Sequence, residues 1–438
     1  MSITIQPVTN GDIISKRTAN SKHFDLGNGK YRAEIYSIPV HYKDNYTDKT
    51  ELWKDIDLTW QNGKITKALY YAKLNGLTLT VTDKQTGKVA IIALEKVGKT
   101  SVNTESTFTF IGNKATIKDF ALDTDLEIEA TPETVKYTRV LKSDKATLDA
   151  QFDIKGDWEV GYSAEDADRI PLTVTKSLTA GKTTETIQTK DLQYTDFMGE
   201  TKTAQYPIRI DPSPVTIQPS SKDTYIRENA ATTNYGSSTS LELYTYPIYW
   251  RRILIDFDVS SVAGFDLTSS SMQLYYYLGT LATGIYVTAY RCRRIGADAW
   301  VEAQATWNIY KTGSNWGTTG AGSTSTDIDI SITASSPVPG SYGWMSWDVL
   351  SASDDAIANR GNVLSLRLHF ASDAVAATAA FYSKEYSTDT TLCPKLVVEY
   401  TVSGWANIAK VNGVAVAAFA KMNGVAVASI AKVNGVAV

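Results

Sequence analysis

The chain is poor in the residues that usually mark catalytic, metal or disulfide chemistry. Among its 438 residues are two cysteines and three histidines, and the histidines are scattered along the sequence. Two cysteines, Cys292 and Cys393, are too few for a disulfide framework, and buried free thiols are the simplest interpretation. No HExxH, GxSxG, P-loop or CxxC motif occurs. We therefore expect a protein that is not an enzyme.

Long apolar runs and an excess of positive charge are missing as well. No run approaches the ~18 apolar residues of a membrane-spanning helix. The net charge of −4 and the pI near 5.6 do not provide the basic surface typical of nucleic-acid binding. The N-terminus, MSITIQPVTNGDIISKR, lacks the apolar core of a signal peptide. These absences predict no membrane span, no nucleic-acid partner, and synthesis in the cytoplasm without a signal peptide.

Strand-forming residues are abundant. The chain has 25 Tyr and 10 Trp against 11 Phe, and Tyr, Thr and Val favour half-buried pleated surfaces. Apolar and polar residues alternate in short segments such as NGLTLTVTD at 75–83, with turn signals between the segments. This pattern predicts an all-β chain with two or more β-sandwich domains.

Changes in composition divide the chain into five parts. The prolines of YPIRIDPSPVTIQPSSKD at 206–223 mark a connector between two β-rich regions, and a repetitive tail follows the second region. The predicted parts are an N-terminal β segment (1–60), a β-sandwich-like domain (61–212), a linker (213–222), a second β domain (223–402) and the tail (403–438).

The second domain carries a spaced pattern of motifs. Its elements are NYGSSTSLELY (234–244), RRILIDFDVSSV (251–262), SMQLYYYL (271–278), VTAYRCRRIGADAWVEAQATWN (287–308), WMSWDV (344–349) and NVLSLRLHF (362–370), followed by FYSKEY and CPKLVVEY. This pattern resembles the DNRLRE domains of bacterial and phage surface proteins, which belong with the jelly-roll carbohydrate-binding modules. The resemblance implies a jelly-roll β-sandwich that often binds polysaccharide, and it does not imply catalysis.

The rest of the chain carries weaker resemblances. Residues 1–212 look loosely like the segment that precedes such domains in bacterial wall-associated and YD-repeat proteins, through NSKHFDLGNGKYRAEIYSIPVHYKD, LWKDID and YPIRIDPS. The tail is similar to the IAKVNGVA-type repeats of tailed-phage virion proteins.

Two clusters of aromatic residues are candidates for sugar binding, because sugars stack on flat aromatic faces. Strand alternation would place the tyrosines of each cluster on a shared face. The alternative is that these rings fill the sandwich, as we expect for Trp300 and Trp307. The candidate binding residues are Tyr244, Tyr246, Tyr249 and Trp250 in one region, and Tyr275 and Tyr277 in the other.

The acidic residues do not form a specific metal-binding or catalytic motif. The sequence requires no cofactor, but jelly-roll modules often hold a structural Ca²⁺ through carboxylates and loop carbonyls. Asp223 and Asn234, which open the second domain, are the candidate ligands. Glu302 is the nearest candidate for a catalytic acid, although a strand-end carboxylate that binds loop amides is the simpler interpretation.

The tail repeats every 11 residues, and an Asn-Gly pair marks each repeat. An 11-residue period suits a right-handed helical supercoil, but Asn-Gly pairs and β-branched residues oppose a helix and favour hairpins. A hairpin would pair Val411 with Val414, Lys410 with Ala415 and Ala409 with Val416; a disordered appendage is the remaining alternative. The predicted assembly residues are Val411, Asn412, Gly413, Val414, Asn423, Gly424, Asn434 and Gly435.

Short apolar strands with open edges recruit further strands. We therefore expect the tail to bind copies of itself and other particle or surface proteins, and the second domain to bind glycans. These features fit a structural surface protein of a phage-like particle, such as a fibre, spike or decoration component on a virion or extracellular particle. The alternative is a bacterial cell-surface adhesin, or the binding component of a polysaccharide-degrading system.

Overall fold

A computed structural model of the chain describes residues 11–102, 107–167, 172–195, 201–214, 221–246, 249–280, 284–372 and 376–401, with the paired strands of the tail. Within these ranges antiparallel strands dominate, and the single α-helix is α1, Leu350–Asn359. The predicted all-β class, with sandwich domains and a β-repeat tail, is confirmed. No helix in the described part of the chain is long and apolar enough to cross a membrane.

The first half of the chain folds mainly into two packed antiparallel sheets. Its strands are β1 (Ser21–Gly27), β2 (Lys30–Tyr36), β3 (His41–Tyr42), β4 (Lys54–Asp55), β5 (Lys64–Ile65), β6 (Tyr70–Asn75), β7 (Thr78–Asp83), β8 (Val89–Val97), β9 (Thr100–Ser101), β10 (Thr109–Ile111), β11 (Lys114–Ala121), β12 (Thr124–Ala130), β13 (Val135–Leu141), β14 (Ala150–Gly156), β15 (Val160–Glu165), β16 (Thr175–Thr179), β17 (Lys182–Thr186), β18 (Gln193–Thr195), β19 (Thr201–Thr203) and β20 (Ile208–Pro214). One sheet has the order β16-β17-β14-β8-β7-β6-β5, and the other has the order β10-β11-β12-β13-β20-β15.

The core of this first domain lies between these two sheets. In β7 the apolar Leu79 and Val81 are buried while the threonines that alternate with them are half-buried, as one-sided burial predicts. The hydroxyl of Tyr137 on the opposite sheet donates to the carbonyl oxygen of Leu77 at 2.7 Å. The two layers are therefore joined by a hydrogen bond as well as by apolar packing.

The second domain is also a sandwich. Its strands are β21 (Ser221–Arg227), β22 (Ser240–Thr245), β23 (Arg251–Asp258), β24 (Asp266–Gly279), β25 (Tyr286–Cys292), β26 (Ile309–Lys311), β27 (Ser314–Asn315), β28 (Ile328–Pro337), β29 (Gly343–Asp348), β30 (Val363–Phe370), β31 (Ala377–Tyr382) and β32 (Lys395–Thr401). We call the layer β32-β24-β31-β22, with β29 beside β24, the front sheet. The layer β21-β23-β30-β25-β28 is the back sheet, and the two layers are parts of one continuous curled sheet because β22 also pairs with β23. Their facing residues form one apolar core that includes Trp347 and Phe381.

Strands from the N-terminus complete the front sheet. β2 pairs with β32 from Lys30 opposite Thr401 to Tyr36 opposite Lys395, and β1 pairs with β2. Ala33 on β2 belongs to the core of the second domain and is fully buried. The sequence-based boundaries assign 1–60 and 223–402 to different parts, whereas these strands are neighbours in one sheet.

A second, smaller core lies on the outer side of the back sheet. The loop between β25 and β28 covers this side with Trp300, Trp307 and Trp316, which pack on Leu254. The indole N–H of Trp300 donates to Asp256 at 2.9 Å. Trp300 and Trp307 are thus packing residues, so this side of the sandwich is not an open sugar-binding face.

The tail forms three two-stranded hairpins: β33 (Lys410–Val411) with β34 (Val414–Ala415), β35 (Lys421–Met422) with β36 (Val425–Ala426), and β37 (Lys432–Val433) with β38 (Val436–Ala437). Val411 pairs with Val414 and Lys410 with Ala415, as the hairpin interpretation expects. The third expected pair, Ala409 with Val416, and the turn residues Asn412, Gly413, Asn423, Gly424, Asn434 and Gly435 lie outside the described residues.

Candidate functional site

The outer face of the front sheet carries five aromatic rings, which we call the tyrosine platform. Alternation along β24 sends Tyr276 into the core and leaves its two tyrosine neighbours on the outer face. The same alternation on β29 buries Trp347 and exposes the tryptophan three residues before it. The platform consists of Tyr275, Tyr277, Trp344, Tyr382 and Tyr386.

Three of these rings form a continuous stack. The ring centroid of Tyr382 lies 4.3 Å from that of Tyr277 and 3.7 Å from that of Tyr386, with the planes nearly parallel. A register shift between Tyr276 and Leu278 interrupts the pairing of β24 with β31 beside this stack. Such a bulge re-aims a side chain, and Tyr277 is the residue that it contains.

Trp344 forms the open end of the platform. It is 37% exposed, lies opposite Tyr275 in the strand register and packs edge-on to its ring at 5.5 Å. The Lys395 ammonium lies 4.5 Å from the Trp344 ring centroid. An exposed indole beside an amine can stack on the apolar face of a sugar while the amine donates to its oxygens.

The hydroxyl of Tyr382 at the centre of the platform stays protonated at neutral pH. Burial, the hydrogen bond with Tyr386 and the neighbouring tyrosines raise the pKa of Tyr382 to about 12. Burial lowers the pKa of Lys395 from its ordinary value. The platform therefore combines ring faces with polar groups at its edge.

A second feature is a buried group of charges between the two domains, which we call the Lys384 cluster. The Lys384 ammonium lies 3.0 Å from Glu133 of the first domain, 2.8 Å from Glu385 and 3.5 Å from Glu302. Asp223 accepts a hydrogen bond from the backbone N–H of Lys384 at 2.9 Å, and its own N–H donates to Glu302 at 2.7 Å. A cavity of about 360 Å³ between the domains is lined by Glu133, Glu302, Lys384 and Glu385.

The Lys384 cluster contains four carboxyl groups and one ammonium. Burial, with Glu385 and Glu133 nearby, raises the pKa of Glu302 to about 8 against the lowering effect of Lys384. Burial and the Glu385 and Glu302 carboxylates raise the pKa of Asp223. Burial alone would lower the pKa of Lys384, but its four acidic neighbours raise it above its ordinary range.

Residues 214–400 match the family model described as carbohydrate-binding module family 96. The match supports a domain in this part of the chain that is similar to carbohydrate-binding modules. The match begins inside the predicted linker, and both the platform and all of the Lys384 cluster except Glu133 lie within it. It covers β21 to β32 but not β1 and β2, although these two strands extend the module's sheet.

Comparisons with individual proteins add little. A search of curated proteins found no match. Among solved structures, the GH31 alpha-xylosidase Xac1773 from Xanthomonas citri aligns at 8% identity with a TM-score of 0.08, over 91% of this chain and 38% of that enzyme. The chain thus spans well under half of that enzyme, and a likeness this low carries no argument about fold or activity.

The other predicted sugar-binding residues lie at the far end of β22, away from the stacked rings. Tyr244 is half-buried, with the Arg251 guanidinium 5.6 Å from its ring, and Tyr246 is 50% exposed. Tyr249 stacks on Tyr246 at 6.2 Å, and Trp250 is half-buried. These four residues form a looser aromatic group than the platform does.

The two candidate calcium ligands, Asp223 and Asn234, have different contacts in the structure. Asp223 lies in the Lys384 cluster and is 1% exposed. The Asn234 amide N–H groups donate instead to the carbonyl oxygens of Glu302 at 2.6 Å and Ala305 at 2.8 Å. Asn234 therefore positions the loop that carries Glu302, and the structure places Glu385 with Asp223.

Sequence analysis did not name three of the five residues in each feature. Trp344, Tyr382 and Tyr386 were not named as candidates, although they lie in the motifs WMSWDV and FYSKEY. The strand alternation of WMSWDV separates Trp344 from Trp347 and could have indicated an outward ring. Glu133 has no comparable signal, because its place in the Lys384 cluster depends on how the two domains pack.

Proposed function

We propose that the module binds polysaccharide through the tyrosine platform, as part of a surface protein of a phage-like particle. The observation that carries the glycan part is an open aromatic face on a module that matches a carbohydrate-binding family. The rings on the outer side of the back sheet are buried between that sheet and the loop that carries them. The platform thus offers the better surface for an extended chain of sugars.

The roles of the platform residues differ. Tyr382 lies between two rings, so its faces are occupied and it orders the stack. Trp344 and Tyr386 stand at the ends of the platform and would contact sugar directly, with Lys395 donating to hydroxyl or carboxylate oxygens. Gln273 is paired with Lys395 across the strands and lies on the same side of β24, but it is buried and is not expected to contact sugar.

Affinity electrophoresis of the full chain in gels containing neutral or acidic polysaccharides tests this proposal. We expect retardation by at least one polysaccharide, and Trp344→Ala or Tyr386→Ala should weaken it about tenfold, since a well-placed aromatic anchor contributes more than ~1 kcal/mol. Tyr71→Ala, at an exposed tyrosine of the first domain, is the matched control. Equal retardation of all four proteins, or loss on Tyr246→Ala alone, would show that the platform is not the binding surface.

The tail supports the particle part of the proposal. Each described hairpin is only two strands of two paired residues, and an isolated hairpin is marginal in water. The tail is therefore proposed to pair with copies of itself or with other particle proteins. Deleting residues 403–438 should leave the two domains folded but abolish the oligomer or the attachment to particles, as light scattering would measure. Unchanged mass and unchanged attachment would refute this role.

A bacterial adhesin or the binding component of a polysaccharide-degrading system is the other candidate. This alternative would use the same platform to bind sugar, so neighbouring genes would distinguish the two candidates. Capsid and tail genes would favour the particle protein, and sugar-utilisation genes would favour the alternative. In either case we propose that the chain is not an enzyme. Glu302, the nearest candidate acid, is held by the Asp223 N–H and by Lys384, which supports a structural role. Sugar release by the purified chain that is lost in Glu302→Gln would contradict this.

A further inference from the structure

The curled sheet of the module ends in two different edges. At the β1 end, the preceding segment covers the strand, since Asp12 bridges Phe24 and the Ile13 N–H donates to the carbonyl oxygen of His23 at 2.6 Å. At the other end, β28 pairs only with β25 in the described part of the chain. The outward side of β28 is therefore an open edge, and open edges recruit further strands.

The backbone hydrogen bonds show which groups of β28 point outward. The Val338 N–H donates to the carbonyl oxygen of Ile285 at 2.8 Å, which marks a hydrogen-bonded pair in the β25–β28 register. Such pairs alternate with non-hydrogen-bonded pairs along antiparallel strands, so Ala334 bonds to β25 and its two neighbours do not. The backbone N–H and C=O groups of Thr333 and Ser335 therefore point away from the sheet, and both residues are exposed.

The open edge of β28 carries no charged side chain. A register shift separates Asp329 from Thr333, so the regular edge runs over the segment TASSP at 333–337. Proteins often protect an open edge with charged residues, which repel a second strand. An uncharged edge can approach a copy of itself without placing like charges together.

A second copy of β28 matches this edge in one antiparallel register. With Ala334 opposite itself, Thr333 of each copy faces Ser335 of the other, and the outward N–H and C=O groups of these residues bond to one another. Cross-strand pairs of Thr and Ser also stabilise antiparallel strands. Pro337 has no N–H to donate, and it then faces Ser331, whose N–H already donates to a carboxylate of its own chain at 3.0 Å.

A cavity beside β28 offers space for apolar packing across this edge. It has a volume of about 340 Å³ and is lined by Ile332, Ala334 and the start of α1 at Leu350. In the same register, Ile332 of the second copy lies opposite Ser336, on the inner side of the sheet where the cavity lies. The pairing therefore brings an apolar side chain next to this cavity.

We propose that two copies of the chain associate through β28, about a two-fold axis at Ala334, so that their back sheets join into one. A second copy fits better than a different protein, because the donors and acceptors of this edge match themselves and the edge offers no charge for a partner to complement. The interface lies within β28 of the module, apart from the tail and the tyrosine platform. It does not depend on sugar binding.

Oxidative crosslinking of the full chain carrying Ala334→Cys tests the proposal. Residues in a non-hydrogen-bonded antiparallel pair have Cα atoms about 4.5 Å apart, which is within the range of a disulfide. Most chains should therefore run at twice the mass of the chain on a non-reducing gel. The parent chain should form no such dimer, since Cys292 and Cys393 are both buried.

Ser331→Cys is the matched control for random encounters. Position 331 is more exposed than position 334, yet in this register it lies roughly six residues, or about 20 Å, from its own copy. Ser331→Cys should therefore form little crosslinked dimer. No dimer from Ala334→Cys, or as much dimer from Ser331→Cys, would overturn the proposal.

Amide hydrogen exchange in the parent chain provides a second measurement if Ala334→Cys fails to fold. The amides of Thr333 and Ser335 should exchange slowly at high protein concentration and faster on dilution, because only the second copy provides their acceptors. Rapid exchange of both amides at every concentration would overturn the proposal. Neither measurement depends on contacts made by the tail.

Discussion

Replacing Ile35 by alanine tests whether the N-terminal strand β2 is part of the module's fold. Ile35 is 0% exposed, lies opposite Leu396 in the strand register and belongs to the module's core. Truncating a fully buried isoleucine removes apolar contacts and leaves a cavity, at a cost of about 2–5 kcal/mol. We expect Ile35→Ala to lower the free energy of unfolding of the module by this amount.

Urea unfolding combined with amide hydrogen exchange would measure the effect and locate it. Ile35→Ala should lower the unfolding midpoint and speed exchange in peptides that cover β32, since β2 protects one edge of that strand. Ile92→Ala, at a fully buried site in the first domain, should destabilise the first domain instead. Ile111→Ala, at a side chain that is 75% exposed, should change stability by less than ~0.5 kcal/mol.

If Ile35→Ala loses no more stability than Ile111→Ala, β2 is not part of the module's core. Unchanged exchange in β32 would then mean that β2 contributes little to the module, and that residues 214–400 form the whole folding unit. A loss of several kcal/mol with faster exchange in β32 would instead show that residues 214–400 alone lack a strand that the module's sheet needs.

Two further predictions concern buried charges. Glu185→Gln breaks an ion pair with Arg139 in which both side chains are 0% exposed, and we expect the free energy of unfolding in urea to fall by about 3–5 kcal/mol. The control is Asp153→Asn, which removes a more exposed ion pair and should cost less than ~1 kcal/mol. Equal losses in the two variants would contradict a larger contribution from the buried pair. Burial, with Arg367 and Arg252 nearby, lowers the pKa of His369 from 6.5 to about 3. Between pH 6.5 and pH 3, His369 therefore binds a proton in the unfolded chain but not in the folded chain. Stability should therefore fall as pH falls from 6.5 towards 3, less steeply in His369→Gln, and an unchanged slope of melting temperature against pH in that variant would refute the assignment.

Local sequence patterns predicted much of the secondary structure and of the burial. The alternation in NGLTLTVTD corresponds to β7, with Leu79 and Val81 buried, and the Asn-Gly spacing of the tail corresponds to paired strands. Alternation also indicated that Tyr275 and Tyr277 share a face, because the period of a strand is fixed by its own backbone. These features depend on residues that are close in sequence.

Features that depend on distant residues could not be predicted in this way. The pairing of β2 with β32 joins the two ends of the folded chain, and nothing in KYRAEIY specifies CPKLVVEY as its neighbour. The Tyr277–Tyr382 stack requires the bulge in β24, and the Lys384 cluster requires both domains to pack together. In each case the determining contact is between segments whose local patterns are compatible with many partners.

Hydroxyl-radical footprinting of the full chain, with and without a polysaccharide that retards it, tests whether the tyrosine platform is the binding surface, because it reports which aromatic side chains the sugar covers. We expect slower oxidation of Trp344 and Tyr386 in the presence of the polysaccharide, with no change at Tyr71 and Tyr246. Protection of Tyr246 without protection of Trp344 would place the sugar at the end of β22 and contradict the assignment of the tyrosine platform as the binding surface.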